Sequence, residues 1–205
     1  MTKTQYRRNL PHLLPPGATV FFTFRLADSI AQATLHHLID ERELAIQDAL
    51  TNLPADLQQA AVARLKKQHF AKYDAVLDLA AHGPTWLLEP VVAELVMSEI
   101  NFLVELEVAV LAFCLMANHV HLVLQLPEAP EFSAARMMQR LKGRTALAAN
   151  KFLNRTGEDF WRKESYNHVV RNSREQERVI AYVVNNPVKA GLVNEWTQWP
   201  YTYVR

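Results

Sequence analysis

Residues 115–124 read LMANHVHLVL. Two histidines stand one residue apart in a run that is otherwise apolar strand. In a strand, residues i and i+2 point to the same face. His119 and His121 therefore project side by side, with Val120 and Leu122 on the opposite face. VELEVAVLAFCLMAN (104–118) and HVHLVLQLP (119–127) together form a hairpin, with its turn near Met116–Asn118. The histidines open its second strand. Two neighbouring imidazoles make half of a metal site; a hydrogen-bonded or solvated pair at a strand end is the plainer reading.

Other segments alternate between the two periodicities. ATVFFTFRL (18–26) follows PPG and is aromatic and β-branched, which predicts a strand. From Ser29 to Leu50, and again from Asp56 to Leu79, apolar residues recur at spacings of three and four, with Pro54 between the runs. LEPVVAELVMSEINFL (88–103) is a further helix with Pro90 in its first turn. SAARMMQRLKGRTALAANKFLN (133–154) is amphipathic with a basic polar face, and FWRKESYNHVVR (160–171) reads as a strand. SREQERVIAYVVNN (173–186) is a helix that Ser173 and Gln176 can close as a capping box and Pro187 ends. The order predicts an α+β fold, an antiparallel sheet with helices packed on it. A single domain over 1–205 is expected, with a helical insertion at about 30–102 after the first strand.

Net charge is +1, but its parts are segregated. Residues 29–107 hold 12 acidic and 5 basic side chains; residues 132–191 hold 12 basic and 5 acidic. A basic second half points to an anionic partner, nucleic acid being the commonest. Cys114 is the one cysteine, so an internal disulfide framework is excluded and a CxxC zinc pattern is absent. The longest apolar runs are too short to span a bilayer, and MTKTQYRRNLPHLLPPG has no apolar signal-peptide core. The expectation is a cytoplasmic protein, nucleoid-associated through DNA.

Helix 173–186 places Tyr182 and Asn186 one turn apart on one face. Beside the histidines they would give three neutral ligands around a cation, with a phenol alongside. Such a group suits phosphodiester chemistry: the cation polarises a phosphate oxygen and the phenol attacks phosphorus.

Three blocks, in order, resemble the REP-associated tyrosine transposases, within the HUH single-strand endonuclease group. They are YRRNLPHLLPPGATVFFTFRLADS (6–29), CLMANHVHLVL (114–124) and FWRKESYNHVVRNSREQERVIAYVVNNPVKAGLV (160–193). The resemblance implies a ferredoxin-like sheet, Mg²⁺ or Mn²⁺, and cleavage and strand transfer of single-stranded DNA near short palindromic hairpins. It places metal ligands on His119, His121 and Asn186, with Asn185 as the competing choice, and the nucleophile on Tyr182. Ala117 stands where that family usually has proline.

Tyr166 is the rival tyrosine by position, read as packing or base stacking. His168 would orient phosphate, transfer a proton or serve structure. Lys142, Arg144, Arg162, Arg171 and Lys189 flank the motifs as candidate phosphate contacts, and Arg7 and Arg8 as a DNA-reaching arm. The expected partner is single-stranded or hairpin DNA with no membrane, and the chain is expected to be a monomer or homodimer. A DNA-hairpin-binding protein that no longer cuts, and a water-using metal hydrolase, are the competing functions.

Overall fold

In the structure, a computed structural model describing residues 14–129 and 133–205, the HVH segment opens a strand as the alternation requires. The elements run β1 (Thr19–Arg25), α1 (Gln32–Asn52), α2 (Ala55–Asp78), α3 (Pro90–Asn101), β2 (Ala109–Leu115) and β3 (His119–Gln125). Then come α4 (Ala134–Phe152), β4 (Tyr166–Val170), α5 (Ser173–Val184), the single turn α6 (Asn186–Lys189) and β5 (Thr202–Val204). The sheet order is β4-β1-β3-β2-β5, and every pairing is antiparallel. β1, α3, β2, β3, α4 and β4 reproduce the βαββαβ order of a ferredoxin-like fold.

The chain forms two units. One holds the described residues up to Ala27 together with Trp86–Arg205; the other is Asp28–Thr85. The second is a helical hairpin of α1 and α2, reversed at Leu53–Pro54. There the Gln58 amide donates to the Leu50 and Leu53 carbonyls at 2.9 and 3.0 Å. α3, at the end of the stretch expected as an insertion, packs into the first unit.

Period-two alternation sorts the sheet. Val20, Phe22 and Phe24 of β1 and Val120, Leu122 and Leu124 of β3 face one core with Val92, Val96 and Ile100 of α3 and Met137, Met138 and Leu141 of α4. Each such side chain contributes about 1.5–3 kcal/mol when fully buried. Phe21, Thr23 and Arg25 of β1 lie on the other face with His119 and His121; across the β1–β3 ladder Thr23 pairs with His121 and Arg25 with His119. α5 packs on that face, with Val183 and Val184 buried.

Three stretches depart from the sequence expectation. Residues 104–108 are not strand: a 3-10 turn spans Phe102–Leu106, and Glu107, at φ 58°, turns the chain into β2. Residues 160–165 stay out of the ladder except for a bridge from Trp161 to Leu26. The Lys142 ammonium takes the carbonyls of Arg162 and Lys163, and Trp161 Nε1 donates to Thr145 Oγ1 at 2.8 Å. The α5 cap is Asn172, not Ser173: its Oδ1 accepts from Glu175 N at 2.9 Å, and Glu175 Oε2 accepts from Arg171 N. β5 has no counterpart in the sequence reading. Among the described residues no helix is long and apolar enough to cross a membrane.

Candidate active site

His119 and His121 are fully buried, and their Nε2 atoms stand 3.1 Å apart. Each ring is held at its other nitrogen. His119 Nδ1 lies 2.7 Å from Asn118 Oδ1, and His121 Nδ1 lies 2.8 Å from Thr23 Oγ1. Asn118 Oδ1 only accepts, so the proton of His119 sits on Nδ1. The Thr23 hydroxyl can take a proton from His121 Nδ1 in the same way. With both protons there, the Nε2 lone pairs point at a common place, the arrangement a cation needs.

The Asn186 amide reaches that place from the helical side: its Nδ2 is 3.1 Å from His121 Nε2. Its Oδ1 is buried without a hydrogen-bond partner among the described residues. A half-turn of the amide exchanges the two atoms and presents the oxygen instead. Two nitrogens and an amide oxygen fit a divalent ion. Cis ligands ~2.1 Å from an octahedral ion stand ~3 Å apart, close to the imidazole spacing. Asn185 faces solvent, and its amide donates to the Ala181 carbonyl. Pro187 explains the break between α5 and α6, since it has no N–H for the helix ladder. Asn186 nevertheless stays turned to the histidines.

Tyr182 is half-buried, its ring centroid 5.6 Å from that of His121. Phe21 lies under the group: it stacks on His121 and meets Tyr182 and Tyr166 edge-on at 6.1 and 6.0 Å. The Lys189 ammonium stands 5.4 Å from the Tyr182 ring centroid. Burial pushes the Tyr166 phenol up to about 12, with Glu175 adding to the shift.

The other site candidates are spread out. His168 Nε2 lies 3.0 Å from Glu175 Oε1. Burial works to raise the Glu175 carboxyl, but the Arg171 N–H and His168 outweigh it and hold it low. Arg144 pairs with Glu99 at 2.7 Å and Arg162 with Glu164 at 2.9 Å; Arg171 is exposed at the start of α5. Arg7 and Arg8 lie outside the described residues.

Lys142 is turned inward, its ammonium also donating to Ser165 Oγ at 3.2 Å. Burial lowers its pKa to about 8, against the pull of Glu164 and with the push of Arg25. Lys142→Ala should cost about 1.5–3 kcal/mol, since hydrogen bonds from a charged group are lost. An unfolded lysine titrates near 10.4. Between about 8 and that value the unfolded chain binds more protons, so this group's contribution to stability rises with pH. Denaturation curves of wild type and variant should diverge over that window; a constant gap would refute the buried ammonium.

Thr23, Asn118 and Phe21 were missed by the sequence reading. The available signal was the alternation of β1, which puts Phe21, Thr23 and Arg25 on one face, and Asn118 stands next to a histidine.

Comparison with known proteins shows what the chain is similar to. Residues 92–186 match the family model described as Transposase IS200 like, a span holding both histidines, Tyr182 and Asn186. The chain is also similar to REP-associated tyrosine transposases. One from Escherichia coli K12 is 25% identical over 91 residues, 44% of this chain and 51% of that protein. A provisionally named one from Haemophilus influenzae is 29% identical over 98 residues, 44% of this chain and 56% of that protein. The chain thus spans about half the length of the curated relatives it matches. A solved structure of a REP-associated tyrosine transposase bound to a REP hairpin shares the fold. Its TM-score is 0.52 at 16% identity, covering 97% of this chain and 81% of that one.

Proposed function

We propose that the chain is a transposase that cuts and rejoins single-stranded DNA beside short palindromic hairpins through a covalent phosphotyrosine. The observation that carries this reading is the convergence of His119, His121 and Asn186 beside Tyr182. His119, His121 and Asn186 would hold Mg²⁺ or Mn²⁺, which when bound polarises a non-bridging phosphate oxygen.

The chain's own groups do the rest. The Tyr182 oxygen gives up its proton to solvent and attacks phosphorus. The bond from phosphorus to one sugar oxygen breaks, and that oxygen takes a proton from solvent and leaves as a hydroxyl. Attack by a DNA hydroxyl on the phosphotyrosine reverses the step and joins strands, with the bond's energy conserved. The Lys189 ammonium beside the ring can offset the negative charge of a phosphate brought to Tyr182. Phe21 fixes the positions of both rings.

The test is incubation with end-labelled hairpin-bearing single strands and Mn²⁺. A labelled band that stays with the protein through denaturation is expected. Cleavage without such a band would mean that water, not tyrosine, attacks; binding with neither would mean a non-cleaving hairpin binder.

Thr23→Val keeps the shape of the strand but removes the partner of His121 Nδ1. Loss of such a support typically costs 10–100-fold in metal affinity. Mn²⁺ titration calorimetry should show a weakening of about that size, with Thr23→Ser close to wild type. Equal affinity in Thr23→Val would remove the hydroxyl from the site.

A further inference from the structure

The face of α5 that carries Tyr182 also carries two cations with no role so far. Arg174, Arg178 and Tyr182 follow at intervals of four, one ridge along α5, and Asn186 stands four residues further on in α6. Arg174 and Arg178 are both exposed, and neither has an ion-pair partner among the described residues. Glu175, beside them, is engaged by His168 and the Arg171 N–H. Glu177 is exposed on the adjoining face.

This placement works against the helix. Arg174 sits in the first turn of α5, where the helix dipole disfavours a cation. Like charges four residues apart destabilise a helix by about 0.2–0.5 kcal/mol. A ligand that neutralises both charges would offset these costs. The ridge rises ~6 Å per step, and each guanidinium presents a fork that matches a phosphate. Beyond Tyr182 the row continues to Lys189, whose ammonium stands over the phenol ring.

We propose that Arg174 and Arg178 bind successive phosphates of one DNA strand and lead it along α5 to the Tyr182 oxygen. This rests on the reading of Tyr182 as nucleophile given above. It makes the tyrosine helix both the carrier of the attacking group and the rail for the strand attacked. Contacts of this kind position the strand without reading its sequence.

The experiment measures binding of a fluorescent single-stranded oligonucleotide by anisotropy, without metal, over a range of salt. Each phosphate neutralised on a single strand contributes ~0.7 to the log–log salt slope. Arg174→Ala/Arg178→Ala should therefore weaken binding and flatten the slope by ~1.4, equally for oligonucleotides of different sequence. Arg174→Lys/Arg178→Lys keeps both charges and should keep the slope. If wild type forms the covalent adduct but the alanine pair binds with unchanged slope, the rail is wrong and the nucleophile stands. The rail is equally overturned if the lysine pair loses the slope. A wild-type chain that binds no single strand overturns the functional reading and the rail together.

Discussion

Tyr182→Phe should fold as wild type does, bind metal and hairpin DNA, and form no covalent adduct. The substitution keeps the ring, and with it the edge contacts to Phe21 and His121. It removes one oxygen from a half-buried residue whose ring lies beside that of His121. Removing a nucleophile outright costs on the order of 10⁶ in rate where it has been measured. The adduct band should therefore disappear, not weaken. Tyr166→Phe is the necessary partner experiment, because the Tyr166 ring packs on the same Phe21. Burial holds its phenol up to about 12. Its phenolate is scarcer at neutral pH than that of a free tyrosine near 10, so Tyr166→Phe should retain the adduct. If Tyr182→Phe still cross-links and Tyr166→Phe does not, the nucleophile lies on β4 and the active face must be rebuilt around it.

The parts of the site that the sequence showed are those written in its periodicities. A strand's period of two put His119 and His121 on one face, and a helix's spacing of four put Tyr182 and Asn186 together. Both relations are local, and the structure keeps them even across the break before Pro187. The choice between Asn185 and Asn186 was not local. It depends on which amide the packing of α5 turns toward the sheet, and Asn186 is the buried one. Lys142 reads as one more cation on a basic helix, and only the fold turns it onto the 162–165 loop. Thr23 was hidden for another reason. A threonine in a strand is ordinary, and its partner His121 is 98 residues away. β5 is three residues long, too short for any alternation to declare it. Residues 104–108 are apolar and β-branched enough for strand, but the left-handed turn at Glu107 overrides that preference.

His119→Ala and His121→Ala should each abolish Mn²⁺-dependent cleavage while leaving hairpin binding largely intact. Each removes one of the three donors that converge beside Tyr182. On the function proposed above, DNA is held at phosphates and bases by other residues, so binding measured without metal should change little. Because both imidazoles are buried, alanine also leaves a cavity, and such cavities destabilise a fold by a few kcal/mol, on the order of 2–5 for large side chains. Asn186→Ala deletes a smaller group from the same cluster and serves as the check on folding. Mn²⁺ affinity should fall in all three variants, most in the two that lose a nitrogen donor, and calorimetry reads this independently of cleavage. Thr23→Val would add only the smaller loss of an orienting bond. A graded series, histidine variants weakest, then Asn186→Ala, then Thr23→Val, is what a metal held by these side chains requires. Full cleavage by both histidine variants at low Mn²⁺ would show that the ion, if one acts, is held elsewhere.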